Sequence, residues 1–177
     1  MLGDAGHSIP SSLFSMVDMC YDSKENTKGI LMVDCPSPVV IRPKLAYHAM
    51  QNLFSGMPSN VELQAGAGAT LQLNAPVPGP AHDPSDDGPP TTAFPFVFHT
   101  GEAMLAYWAS QHTPVNGDAT TTVSASLTTN GTAIKEPALL DLLTGTVYTG
   151  PAGGSKFTVP ATDSGMLLTE KSMLPLQ

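Results

Sequence analysis

Acid–base chemistry in this 177-residue chain rests on five glutamates and ten aspartates. Glu62, Glu102, Glu136 and Glu170 lie on or beside stretches with strand patterning, and no spacing draws two of them over a common cleft. Asp4, His7 and Ser8 have the residue types of a hydrolase triad, but no G-x-S-x-G elbow surrounds the serine, so this stretch reads as a polar terminus. His82, Asp83, Asp86 and Asp87 offer calcium-type ligands at a spacing that fits no loop motif, so they read as a solvated acidic loop. The five histidines show no paired ligand spacing for zinc, and no cofactor is expected. Tyr107 and Trp108 have rings that stack on sugars, yet on an apolar strand such rings usually serve the core. Asn130-Gly131-Thr132 is a glycosylation sequon that coincides with a turn signal, and the turn is the plainer reading. Cys20 and Cys35 could pair, but two cysteines make no framework. Their apolar surroundings favour two buried thiols, which leaves the redox compartment open.

Composition narrows the function classes. Net charge is −8, Arg42 is the only arginine, and no Lys/Arg cluster exists to displace phosphate counterions. Nucleic acid and anionic membrane surfaces are therefore not expected partners. No apolar run is long enough to span a bilayer, and Met1–Pro10 shows neither a basic n-region nor an apolar h-region. A hydrophobic content of 41% supports a packed core, while 16 glycines and 17 prolines suit many short strands joined by turns.

The elements that must position these residues fall into two groups around Arg42–Gly56, RPKLAYHAMQNLFSG. Pro43 suits a first helical turn, and Leu45, Ala46, Ala49, Met50, Leu53 and Phe54 recur at spacings of three and four. Gly56 suits a left-handed cap and Pro58 forbids continuation, so a helix is predicted over 43–55. Ahead of it lie two short apolar runs, Leu13–Cys20 and Ile30–Asp34, and the segment Val39–Ile41. Together they are too small for a core of their own. After it come Val61–Gln64, Thr70–Asn74, Phe94–His99, Ala103–Ala109, Thr120–Thr128, Ala138–Leu143, Thr146–Thr149, Lys156–Val159 and Met166–Thr169, all with strand patterning. Ala65–Ala69 suits a tight connection, Asn130-Gly131 a hairpin turn, and the Pro/Gly/Asp-rich stretch 75–92 a mobile loop. Short strands at this spacing predict a mainly β chain: an antiparallel, jelly-roll-like β-sandwich over 58–177, preceded by one helix.

Asn26–Ser55 resembles the last barrel segment of retaining glycoside hydrolases built on a (β/α)8 barrel, which carry a KGL…RPK-x-AYYA-x-QNL pattern. Lys28-Gly29-Ile30, Arg42-Pro43-Lys44, Ala46-Tyr47, Ala49 and Gln51-Asn52-Leu53 match it, with His48 where a second Tyr is common. Asp141–Tyr148, DLLTGTVY, is similar to a hairpin of the small sandwich that follows such barrels. Met104–Trp108 and Met166–Thr169 resemble two more of its strands. The resemblance implies that 1–57 is the C-terminal end of a barrel, with Leu13–Cys20 similar to its eighth strand. Asp18 and Tyr21 would then lie at the substrate rim, a role weighed evenly against ordinary strand-end packing. The paired catalytic glutamates of such enzymes sit on the fourth and seventh strands, which would precede Met1, so no catalytic residue is assigned. The expectation is a non-catalytic C-terminal portion of a carbohydrate-degrading enzyme whose sandwich braces a catalytic barrel. That barrel would be its partner, with carbohydrate a further one, and an extracellular or periplasmic location would follow for a secreted glycosidase. The alternative is a stand-alone carbohydrate-binding or structural sandwich. Apolar surface at Leu13–Val17 and Ile30–Val33 would be exposed in the isolated chain.

Overall fold

The computed structural model describes residues 16–21, 25–35, 37, 39–57, 61–63, 68–75, 91–109, 122–130 and 133–174. The described residues are mainly β, with one α-helix among them between a small front unit and a sandwich.

In the front unit, β1 (Met19–Cys20) pairs antiparallel with β2 (Glu25–Asn26), and β3 (Leu31–Asp34) pairs antiparallel with β4 (Val39–Pro43). Val17 bridges Leu31 in parallel, which joins the two ribbons. Gly29 makes the join possible. Its backbone lies directly against the Val17–Asp18 peptide, where any Cβ would collide with main chain. Among the described residues ahead of the helix only Asp18, Gly29 and Ile30 are buried, so these residues supply almost no apolar core. A cross-link holds the unit instead: Cys20 and Cys35 form a disulfide, with Cα atoms 5.7 Å apart. This corrects the expectation of two buried thiols. Both cysteines are half-buried, and the β1–β2 pairing together with the Val17–Leu31 bridge brings them within bonding reach.

The helix, α1 (Leu45–Gly56), starts two residues later than the proline suggested. Pro43 ends β4 opposite Leu31, and Lys44 is the N-cap with an extended backbone. The fixed φ of proline fits a strand end as well as a first helical turn, and the N–H of Lys44 donates to Ile30 O at 2.9 Å, tying this junction to the β3 side. The predicted apolar stripe is split. Leu53 packs on the sandwich, whereas Leu45 and Phe54 are 69% and 59% exposed. Gly56 is a buried helical residue and not a left-handed cap. A Cβ there would come within 2.7 Å of Leu167 and 2.8 Å of Leu140, so its role is close approach to the sheet.

The sandwich has a six-stranded sheet ordered β11-β10-β13-β8-β7-β5, facing a three-stranded sheet ordered β12-β9-β6. The strands are β5 (Val61–Leu63), β6 (Ala69–Leu73), β7 (Thr91–Phe98), β8 (Ala103–Ala109), β9 (Val123–Thr129), β10 (Pro137–Asp141), β11 (Val147–Thr149), β12 (Lys156–Ala161) and β13 (Met166–Glu170). All their pairings are antiparallel. The β7–β8 hairpin forms as predicted, with Gly101 at φ +99° in its turn. Pro95 in β7 lies opposite Leu105 of β8, and on the other side the described part of β5 ends opposite Phe96.

Neither the tight connection read at Ala65–Ala69 nor the hairpin turn read at Asn130-Gly131 joins neighbouring strands of one sheet. β5 and β6 lie in different sheets, as do β9 and β10, so the chain changes layer after 63 and again at Asn130. Turn chemistry marks where a strand ends and carries no information about which sheet receives the next one. Thr91 and Thr92, assigned to the loop, belong to β7, and 76–90 lie outside the described residues.

Alternation places the core. Leu105, Tyr107, Ala125, Leu127, Phe157, Val159 and Leu168 fill the space between the sheets. The opposite face of the six-stranded sheet carries Phe96, Phe98, Met104, Ala106, Leu140 and Leu167, with Leu53 and Met57 packed on it. β8, β10 and β13 are therefore apolar on both faces, which is why they read as continuous apolar runs.

Candidate functional site

The residues singled out by the sequence come to three places. The first is a polar node in the front unit. Asp18 is 7% exposed, and its Oδ1 accepts hydrogen bonds from Lys44 Nζ at 2.6 Å and from the Gly29 N–H at 3.0 Å. Lys44 also donates to Thr27 O at 2.8 Å. A buried carboxylate needs this double pairing, since desolvating it alone would cost several kcal/mol. Asp18 therefore points inward and fixes the start of α1 to the β1 segment. Tyr21 does not join it: its ring is 57% exposed, and its hydroxyl donates to Met19 Sδ at 3.5 Å.

The second place is the joint between α1 and the β10–β11 turn, and here the two halves of the resemblance meet. Asn52 Nδ2 donates to Leu142 O at 3.1 Å. Gly145 is left-handed at φ +75°, and a Cβ on it would lie 2.8 Å from Asn52 Oδ1. Asp141 shapes the turn by accepting from the N–H groups of Leu143 and Thr144 at 2.8 and 3.3 Å. The Gln51-Asn52-Leu53 motif and the DLLTG motif thus form one built contact across ninety residues of sequence separation.

The third place is the set of carboxylates on the sandwich. Glu170 meets Glu136 through the main chain of the latter, a contact that sequence spacing did not anticipate. Glu170 uses Oε1 on the Lys135 N–H at 2.7 Å and Oε2 on the Glu136 N–H at 2.8 Å, so it clamps the turn before β10. Glu62 is exposed on edge strand β5. Glu102 sits after the β7–β8 turn, its carboxyl lowered from its ordinary range by a hydrogen bond from Thr100 and by its own backbone. Among the described residues no three His, Cys, Asp or Glu side chains gather to hold a metal ion. The Asp4/His7/Ser8 and His82–Asp87 groups lie outside them.

The aromatics divide cleanly. Tyr107 is fully buried, and its hydroxyl donates to Pro160 O at 3.0 Å; burial pushes the phenol up out of its ordinary range. Trp108 is half-buried on the other face of β8, its ring 5.8 Å from Phe94.

Sequence reasoning passed over Lys44 and Asn52. Nothing local marks Lys44 as the partner of a carboxylate 26 positions away. Asn52 was signalled only by the joint presence of both motifs. Of the apolar surface expected to be open, Met16 and Val17 are 60% and 36% exposed and 13–15 lie outside the described residues, whereas Ile30 is buried and Leu31–Val33 are half-buried; Val39, Val40 and Ile41, at 61%, 48% and 54%, add exposed apolar surface that was not anticipated.

No family model matches this chain, and no curated protein does. No helix among the described residues is long and apolar enough to cross a membrane.

Proposed function

We propose that this chain is the non-catalytic C-terminal portion of a carbohydrate-degrading enzyme, with the sandwich bracing a catalytic barrel through α1 and the front unit. The observation that carries this reading is the asymmetry of α1. One side is built into the sandwich through Asn52, Leu53 and Gly56, while Leu45 and Phe54 face away, next in sequence to a strand whose Val39, Val40 and Ile41 are all exposed. Consecutive apolar residues exposed on both faces of a strand are the pattern of a sheet covered on both sides in a larger body. The parallel Val17–Leu31 bridge agrees with it, since parallel pairing belongs to sheets covered on both faces. On this reading Tyr21 remains the substrate-rim candidate, and Asp18 positions the segment from within. A stand-alone carbohydrate-binding module would need a row of open rings, whereas Phe96, Phe98, Tyr107 and Phe157 are buried.

Uncovered apolar surface of this kind drives association. The isolated chain is expected to self-associate as its concentration rises in sedimentation velocity runs. A V40K/I41K/F54K triple variant is expected to stay monomeric with the same circular dichroism. A wild-type chain that remains a monodisperse monomer at high concentration counts against a covered ledge.

A further inference from the structure

We propose that Asn130 is an N-glycosylation site, and that its glycan stands on the three-stranded sheet, away from the face that carries α1. This inference is independent of the barrel reading. The sequence has six asparagines, and only Asn130 heads an N-x-S/T triplet, completed by Thr132. β9 and β10 lie in different sheets, so the Asn-Gly pair does not join two paired strands of one hairpin. Gly131 and Thr132 lie outside the described residues, but the acceptor residue is well placed. Asn130 follows the last residue of β9 and is exposed. Its own N–H donates to Gly68 O at 2.8 Å, and the Thr129 N–H donates to Ser155 O at 2.9 Å, so its backbone is anchored on both sides. Its side-chain nitrogen lies over Gly68, where a Cβ would intrude to 2.7 Å, so the glycine makes room for that side chain.

Two further observations point the same way. The Cys20–Cys35 bond belongs to an oxidising compartment, the setting in which secreted chains receive N-linked glycans. The sheet beneath Asn130 is also suited to a hydrated cover. Its outward residues Thr70, Gln72, Ser124, Ser126, Lys156 and Thr158 are exposed, with no large apolar side chain among them.

The chemistry is transfer of an oligosaccharide from a lipid-linked diphosphate donor. Asn130 Nδ2 forms a bond to the anomeric carbon of the first sugar and loses a proton. The bond from that carbon to the diphosphate oxygen breaks, and the lipid diphosphate leaves with the electron pair.

The test is secretion of the full chain from a eukaryotic host, with intact mass and peptide mapping before and after peptide-N-glycosidase. A single glycan is expected, removed by the enzyme with conversion of Asn130 to aspartate. N130Q and T132A are expected at the unmodified mass, and T132S should keep the glycan. Should N130Q fail to be secreted, T132A reads the same point while leaving the bonds of Asn130 in place. Wild-type chain secreted at its unmodified mass, or a glycan that survives N130Q or T132A, overturns the proposal.

Discussion

Chain 1–177, purified alone, is expected to hydrolyse no aryl glycoside or oligosaccharide above the buffer rate. Uncatalysed glycoside hydrolysis is so slow that assistance must come at both the leaving oxygen and the anomeric carbon. A retaining mechanism supplies it with two carboxyl groups about 5 Å apart across the bond. Glu170 lies beside the Glu136 main chain, and both of its carboxylate oxygens are engaged by backbone N–H groups. Those bonds fix the Glu170 carboxylate against the chain ahead of β10, which is a structural role. Asp18 is likewise engaged, by Lys44 and Gly29, beneath the surface. The check is a panel of substrates assayed with and without the candidate carboxylates. Turnover that vanishes on changing one Glu or Asp to Ala would mean that this chain holds an active site of its own.

Replacing Cys20 and Cys35 by serine is expected to open the front unit and leave the sandwich folded. The two residues are separated by 15 positions, and closing a loop of that length stabilises by about 3 kcal/mol in the chain-entropy picture. That figure corresponds to roughly 100-fold faster amide exchange in a segment that opens locally, at about 1.4 kcal/mol per factor of ten. The Asp18 and Leu31 amides are the reporters, because their bonds join the two ribbons. Amides of β8 and β13 should keep their protection, since the sandwich core makes no use of the disulfide. Uniform loss of protection across the chain would show that front unit and sandwich unfold together, against the division drawn here.

The sandwich was legible because its signals are local. Alternation at Val123, Ala125 and Leu127, and phenylalanines at every second position from 94 to 98, name strand and face at once. Layer assignment was not legible, because a turn residue ends a strand without saying where the next one goes; hence the misplaced pairings around 64–67 and at Asn130. The helix boundaries erred where proline and glycine have two uses each. Pro43 ends a strand and Gly56 permits contact, and only the packing of Leu140 and Leu167 decides the second. The node of Asp18 with Lys44 and the disulfide rest on contacts that no periodicity encodes.

The account rests on one claim, that this chain completes a catalytic barrel. The most direct measurement is the nucleotide sequence of the coding region upstream of the Met1 codon. The account predicts an open frame continuous with this one, encoding alternating strands and helices with a glutamate at the ends of two of the strands. An in-frame stop ahead of Met1, in a transcript that is translated into a protein of this length and no longer, would contradict it.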